Sequence, residues 1–192
     1  MKFRKFRAIL LRIMILLAFI GILSLPILFF VKGCQGKNFF SDDTAPMKIN
    51  DKIEMKTISN ETVTFQKTET GFKNLDNEKI VLINFFTTKC APCNAMIPHL
   101  NNLQRKYEEN LTVVSVLLET GVSQDEIDDF RDKNGVDYTI TFDKKNLLFS
   151  AEHGNITNIP NMFIYDKNGE LLENYIGIIP EEMIEADLVR MF

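Results

Sequence analysis

The chain has 192 residues, of which 45% are hydrophobic and 25% charged, and these fractions exclude a disordered or collagen-like chain. Seven of the 22 Lys/Arg residues and none of the 26 Asp/Glu residues lie in residues 1–37, so residues 38–192 carry a net charge of −11. This acidic body argues against nucleic-acid binding, which needs a basic face. Three cysteines are too few for a disulfide-rich scaffold, and two histidines outside any Cys/His cluster argue against a structural zinc site.

The first segment of the chain is predicted to anchor it in a membrane. Five basic residues within residues 1–12 precede an uncharged apolar run of 19 residues over 13–31, which as a helix just spans a hydrocarbon core of about 30 Å. The positive-inside rule places residues 1–12 in the cytoplasm and everything after residue 31 outside it. The alternative is a cleaved signal peptide, which has a shorter apolar core, of about 7–15 residues, and a small-x-small cleavage site.

A linker is predicted to follow this anchor. Residues 32–47 mix Gly, Ser, Asp and Pro without hydrophobic periodicity, which is typical of a connecting segment. Gly33-Cys34 raises the alternative of a lipoprotein processing site, but Val31 and Lys32 suit such a site poorly. We therefore interpret Cys34 as an unpaired thiol next to the membrane.

Residues 48–192 are predicted to form one domain in which strands alternate with helices. Apolar alternation, helical spacing, caps and turn residues give the boundaries. In chain order they predict a β-hairpin over 52–57 and 61–66, a buried strand over 79–86, a helix over 93–109, a buried strand over 111–118, a helix over 123–134, a strand over 138–142, a helix over 147–153, a hairpin of strands 162–165 and 171–177, and a closing helix over 181–191. This order predicts a three-layer α/β fold with a mixed central sheet.

The chemistry is expected at Cys90-Ala91-Pro92-Cys93, where a buried strand ends and a helix begins. A helix N-terminus favours an anion, and Lys89 adds a positive charge, so the pKa of the Cys90 thiol is expected to be low. Cys93 lies one helical turn further on, within reach for a disulfide. Cys90 is predicted to attack a substrate disulfide and Cys93 to resolve the mixed disulfide.

Two other uses of these cysteines are weaker. A metal site would need further ligands, and neither His99 nor His153 forms a regularly spaced set with the cysteines. A purely structural disulfide that closes a two-residue loop would stabilise the fold only weakly. No metal and no cofactor are therefore predicted, and His153 is interpreted as a residue at a helix C-terminus, where its positive charge would be favourable.

These motifs resemble the thioredoxin superfamily, and most closely its membrane-anchored TlpA/ResA/CcmG branch of thiol–disulfide oxidoreductases. The resemblance lies in the segment from Asn84 to Cys93, in Pro98 within the following helix, and in Ile159-Pro160 before the last hairpin; it covers about residues 50–190. It implies a thioredoxin-like fold with an N-terminal β-hairpin and a cis peptide bond before Pro160, opposite the disulfide.

The same resemblance assigns expected roles to the other site residues. Because proline has no N–H group and a cis bond turns the neighbouring backbone, Ile159 and Pro160 are expected to bind an extended substrate segment. Asn84, Pro92 and Pro98 are expected to support the site, although thioredoxin has a buried Asp at the position of Asn84.

Other departures from the family pattern bear on the substrate. Lys89 replaces the usual Trp, and the chain has no Trp. Met96 stands where many relatives of the TlpA and ResA type have Glu, and Asn161 stands where CcmG-like proteins have Glu. A role in cytochrome c maturation is therefore not supported by its most specific acidic positions.

The leading hypothesis is a membrane-tethered thiol–disulfide oxidoreductase that reduces disulfides of exported proteins, with apocytochrome c as one candidate substrate. The expected location is the bacterial cytoplasmic membrane, with a single pass over residues 13–31 and the catalytic domain on the periplasmic or outer face. The expected partners are exported disulfide-containing proteins and a transmembrane thiol reductant of the DsbD/CcdA type, without nucleic acid. A tether raises the effective concentration of the domain near such a donor.

Two alternatives remain open at this point. A copper-delivery protein of the SCO type would use C-x-x-x-C and a distant His, whereas this chain has two intervening residues and places His153 60 residues after Cys93; thiolates could still bind Cu(I). A peroxiredoxin would use a Thr-x-x-Cys loop, which Thr87-Thr88-Lys89-Cys90 matches, but this reading leaves Cys93 without a role.

Overall fold

The structure, a computed structural model, describes residues 46–192. The predicted segments 1–12 and 13–31, Cys34 and all but the end of the linker over 32–47 lie outside these residues. Within residues 46–192, no helix combines the length and the apolar character needed to cross a bilayer.

Residues 46–192 form eight strands and four helices. In chain order they are β1 (Lys52–Lys56), β2 (Thr62–Lys67), β3 (Phe72–Asn74), β4 (Ile80–Phe86), α1 (Ala91–Lys106), β5 (Leu111–Leu117), α2 (Gln124–Asn134), β6 (Thr139–Thr141), α3 (Asn146–Glu152), β7 (Asn161–Tyr165), β8 (Leu171–Ile176) and α4 (Glu181–Met191).

The central sheet has five strands in the order β6-β5-β4-β7-β8. β4, β5 and β6 are parallel, whereas β7 and β8 are antiparallel to their neighbours. Every residue of β4 is buried, as expected for a strand in the middle of a sheet that is covered on both faces. The predicted α/β fold with a mixed central sheet is confirmed.

One face of this sheet, which we call the helical face, packs against α1, α2 and α4. Leu82 of β4 shares a core cluster with Leu100 of α1 and Ile184 of α4. Phe86 lies four residues further along β4 and shares a second cluster with Cys93 of α1 and with residues of α2. Because side chains alternate across a strand, residue 84 also points to the helical face.

The opposite face packs against a second, three-stranded antiparallel sheet in the order β1-β2-β3 and against α3. Phe65 of β2, Phe85 of β4 and Phe149 of α3 are fully buried in one core cluster. The predicted N-terminal hairpin is therefore present as β1 and β2, but it continues into β3, which the sequence analysis missed. Three residues are too few to show an alternating pattern, although Phe72 and Asn74 are both buried on either side of Lys73.

Local signals fixed the ends of α2. The Ser123 side chain accepts a hydrogen bond from the backbone of Glu126, and the Glu126 carboxylate accepts one from the backbone of Ser123, which is a complete capping box. Gly135 ends the helix in the left-handed conformation at φ 61°, where glycine is favoured. α1 begins two residues earlier and ends three residues earlier than the predicted helix over 93–109.

Candidate active site

Cys90 is the N-cap residue of α1. Its backbone has the extended conformation of an N-cap, with φ −90° and ψ 101°, and its Sγ atom accepts a hydrogen bond from the backbone N–H of Cys93 at 3.1 Å. An N-cap acceptor satisfies a helix N–H group that has no partner within the helix. The same N–H group and the helix dipole favour an anion at this position, and the low pKa expected for a free Cys90 thiol stays a prediction.

The two cysteines form a disulfide whose sulfurs differ in exposure. Their Cα atoms lie 5.2 Å apart. Cys93 is 2% exposed and belongs to the core cluster on the helical face, whereas Cys90 is partly exposed and is followed by the exposed Ala91 and Pro92. An external thiol or disulfide can therefore reach Cys90 but not Cys93, which suits an attacking and a resolving sulfur in that order.

The loop before β7 lies beside this disulfide. The Ile159–Pro160 peptide bond is cis, and the carbonyl oxygen of Ile159 lies 4.0 Å from Cys90 Sγ. Ile159 is partly exposed and Pro160 is buried, and the carbonyl of Pro160 accepts a hydrogen bond from Gly177 at 2.8 Å. The two residues predicted to bind substrate are thus next to the reactive sulfur, and their binding role stays a prediction.

Asn84 occupies a buried position on the helical face of β4, between Leu82 and Phe86. Its Nδ2 atom donates a hydrogen bond to Ser115 Oγ at 2.9 Å. Its Oδ1 atom is buried and has no hydrogen-bond partner within the described part of the chain. The amide cannot act as a base, so this buried position of β4 holds no titratable group.

Pro98 lies within α1, beyond the disulfide. It is exposed within α1, five residues after Cys93 and so about 7.5 Å further along the helix axis. The next residue, His99, contacts Glu181 of α4, with 3.2 Å between Nδ1 and Oε2. The structure therefore groups Cys90, Cys93, Ile159 and Pro160 and leaves Pro98 outside that group.

Glu119 is a site residue that the sequence analysis missed. Its Oε2 atom accepts hydrogen bonds from the backbone N–H and the hydroxyl of Thr88, at 3.0 and 2.5 Å, and its Oε1 atom lies 3.3 Å from the Lys89 ammonium. The Thr88 hydroxyl is the largest cause that lowers the pKa of the Glu119 carboxyl. The available signal was that Glu119 follows β5, and the carboxyl ends of parallel strands β4 and β5 meet at one edge of the sheet.

Lys89 therefore does not act as an isolated positive charge. Its side chain is 88% exposed and shares its charge with Glu119, which is 16% exposed. Ion pairs in contact with water are screened. The predicted role of Lys89 in lowering the pKa of Cys90 stays a prediction, and the structure adds the carboxylate that opposes it.

His153 lies away from the disulfide, at the C-terminus of α3 as predicted, but the prediction that it is charged there is wrong. Its ring stacks on Phe72 with centroids 4.7 Å apart and contacts Phe149 and Phe163 edge-on. These rings belong to the cluster on the opposite face of the sheet from Cys93. Burial lowers the pKa of His153 to about 4, so the ring is neutral at pH 7.

This placement also bears on the alternative of a copper-delivery protein. His153 cannot complete a ligand set with the two cysteines, because the central sheet separates them. Within residues 46–192, no group of three or more His, Cys, Asp and Glu side chains is arranged to hold a metal ion.

Comparisons with known proteins agree with this geometry. The Thioredoxin-like family model matches residues 77–171, which include both cysteines and Pro160. This match, the fold and the disulfide support a thioredoxin-superfamily protein. Its fold resembles the crystal structure of StoA from Bacillus subtilis, with a TM-score of 0.58 and 23% identity over 73% of this chain and 98% of that chain.

Curated relatives narrow this assignment. The chain is 28% identical to the thioredoxin-like protein YneN of Bacillus subtilis over 137 residues, which are 71% of this chain and 74% of the relative. It is 27% identical to the thiol-disulfide oxidoreductase ResA of Bacillus thuringiensis over 145 residues, or 73% of this chain and 82% of the relative. The fold, the disulfide and these relatives identify a thiol–disulfide oxidoreductase of the TlpA/ResA/CcmG-like kind.

Proposed function

We propose that this thiol–disulfide oxidoreductase is tethered to the cytoplasmic membrane through residues 13–31 and reduces disulfides of exported proteins on the outer face. The proposal rests on one observation above all: Cys90 combines partial exposure with an N-cap position and a hydrogen bond from the Cys93 N–H group, while Cys93 is buried behind it. Apocytochrome c is one candidate substrate.

The exchange reaction balances with the two cysteines alone. The Cys90 thiolate attacks one sulfur of the substrate disulfide; a Cys90–substrate bond forms, the substrate S–S bond breaks, and the released substrate thiolate takes a proton. Cys93, once deprotonated, attacks Cys90 Sγ, which forms the enzyme disulfide and releases the second substrate thiol. Two electrons pass to the substrate, and a dithiol donor then returns the enzyme to its reduced form.

The proposed direction of the reaction is supported by a moderate stabilisation of the thiolate. In the superfamily's strong oxidants, a very acidic thiol, with a pKa as low as about 3.5, stabilises the reduced form. Here Cys90 Sγ accepts one backbone N–H bond, and the adjacent Lys89 charge is shared with Glu119. Moderate stabilisation of the thiolate favours a reductant.

A membrane anchor suits a reductant that needs a steady supply of electrons. A tether holds the domain near a transmembrane thiol donor of the DsbD/CcdA type and raises its effective concentration there. The apolar run over 13–31 and the basic residues before it support this arrangement.

The proposed function is tested by trapping substrates in cells with Cys93→Ser. This variant lacks the resolving thiol, so the mixed disulfide between Cys90 and a substrate persists. We expect exported proteins in disulfide bonds to Cys90, and their loss in the matched control Cys90→Ser/Cys93→Ser. Exclusive capture of cytoplasmic proteins would contradict the location. Capture of nothing by a variant whose Cys90 still reacts with iodoacetamide would contradict exchange with protein disulfides.

The location has its own test in the same cells. Lys89 and Pro92 flank Cys90 on an exposed surface, so in reduced cells a membrane-impermeant maleimide should label Cys90 without lysis. Labelling that requires lysis would place the domain in the cytoplasm, and recovery of the full chain in the soluble fraction would contradict the anchor.

A further inference from the structure

We propose that Glu119 is a positioning residue that sets the acidity of Cys90. It keeps the Lys89 ammonium away from the thiolate, and so it keeps the reduction potential of the Cys90–Cys93 couple low. The inference rests on the proposed function, in which Cys90 is the attacking sulfur. It gives an unassigned carboxylate a role in the reaction without any contact to substrate.

The contacts of Glu119 point to this role because each carboxylate oxygen binds one of the two residues before Cys90. Oε2 accepts both hydrogen bonds from Thr88, which fixes the end of the loop between β4 and α1. Oε1 holds the Lys89 ammonium at 3.3 Å. The carboxylate is mostly buried whereas Lys89 is almost fully exposed, so Glu119 is the fixed partner and Lys89 the mobile one.

The two charges of this pair are held 3.3 Å apart and act on Cys90 in opposite directions. By sign, Lys89 favours the thiolate and Glu119 disfavours it. In a water-like dielectric, a unit charge roughly 7 Å from a thiolate would shift its pKa by about 0.4 unit, which sets the order of magnitude expected here. If the carboxylate is removed, Glu119 no longer repels the thiolate and Lys89 is free to approach it, so both changes lower the pKa of Cys90.

Glu126 is a second carboxylate near the Lys89–Glu119 pair. Asp143 and Lys144, which carry opposite charges, line the same cavity as Glu119. The Lys89 and Glu119 charges both affect the pKa of Glu126, but its largest cause is the backbone hydrogen bond from Ser123 in the capping box of α2. Residues 157–161, on the other side of Cys90, contain no charged side chain. Glu126→Gln is therefore a matched control: it removes a nearby charge, and Gln still completes a capping box.

The variant Glu119→Gln removes the carboxylate charge and keeps a side-chain oxygen in its place. The Gln side-chain oxygen can still accept both hydrogen bonds from Thr88, so the loop should keep its position, while the amide no longer attracts Lys89. We expect the pKa of Cys90 to fall by about 0.5 to 1 unit, which raises the thiolate fraction about three- to tenfold wherever the pH lies below the pKa. Lys89→Met should raise the pKa by up to about 0.5 unit.

The experiment measures the rate of Cys90 alkylation by iodoacetamide against pH, on the reduced full chain in detergent with Cys34→Ser in every variant. Because Cys93 is buried, the label is expected on Cys90, and mass spectrometry of the digested protein verifies which cysteine carries it. The double variant Glu119→Gln/Lys89→Met decides the mechanism: when Lys89 is absent, Glu119→Gln should lower the pKa by no more than about 0.4 unit, because only the lost carboxylate charge then acts. Glu126→Gln should shift the pKa by less than about 0.2 unit.

Three results would overturn the inference. The first is an unchanged Cys90 pKa in a Glu119→Gln protein whose thermal unfolding midpoint matches the parent. The second is the same shift with and without Lys89, and the third is an equal shift in Glu126→Gln. Failure of the proposed function looks different: the parent itself would show a Cys90 that reacts with iodoacetamide but not with protein disulfides.

Discussion

The partly buried His153 should make the fold sensitive to mild acid. Its Nδ1 atom lies 2.7 Å from the carbonyl oxygen of Phe149, to which it donates a hydrogen bond, and its Nε2 atom is buried without a partner within the described residues. Desolvation is the largest cause that lowers the pKa of His153 from 6.5 to about 4. Between these two values the unfolded chain binds a proton that the folded chain does not, so stability falls as the pH falls through this range.

The size of the effect follows from the two pKa values. Linkage gives a loss of about 2 kcal/mol on going from pH 7.5 to pH 5, and about 3 kcal/mol by pH 4, because each unit of pKa shift corresponds to about 1.4 kcal/mol. Carboxylates whose pKa is lowered in the folded state, such as Glu119 and Asp166, stabilise the fold at neutral pH. This stabilisation is lost only as the pH falls below about 4.3. The change in stability between pH 7.5 and pH 5 therefore reports mainly on His153.

Equilibrium urea unfolding of the full chain in detergent, followed by circular dichroism at pH 7.5, 6 and 5, measures this loss. His153→Phe keeps an aromatic ring in the cluster and removes the titrating group, so its stability should stay nearly constant over this range. His99→Gln, which changes a partly exposed histidine next to Glu181, is the matched control and should lose stability as the parent does. Parallel loss in the parent and in His153→Phe would refute the reasoning.

Two further variants test the packing on each face of the central sheet. Phe149→Ala should lower the free energy of unfolding by about 3–5 kcal/mol, because the ring is fully buried between Phe65 and Phe85; a loss below 1 kcal/mol in urea unfolding would contradict the described core. Asn84→Asp should place a carboxyl in a buried site and raise its pKa, so this variant, unlike the parent, should lose stability from pH 5 to pH 8. A flat difference between Asn84→Asp and the parent over that range would show that position 84 is solvated.

The sequence predicted those parts of the fold that depend on neighbours along the chain. Ser123 and Gly135 mark the ends of α2 by their own hydrogen bonding and backbone preference, and the apolar run of β4 shows a strand covered on both faces. The position of Cys90 at the N-terminus of α1 followed from the same kind of local pattern.

The missed features depend on contacts between distant parts of the chain. Glu119 and Thr88 are 31 residues apart in the sequence, and no local spacing pattern predicts a contact between them. The error about His153 has the same origin: the residue does follow α3, but its ring packs on Phe72 of β3. Because β3 was not predicted, nothing in the sequence indicated the aromatic cluster that keeps His153 neutral.

The central claim is that Cys90 and Cys93 form a reducing couple, and their reduction potential tests it most directly. The full chain with Cys34→Ser is equilibrated with glutathione buffers or with thioredoxin, and the fraction of reduced protein is read from alkylation and mass. We predict a potential close to that of thioredoxin, about −270 mV. A value close to about −120 mV, at the strongly oxidising end of the range, would contradict the account.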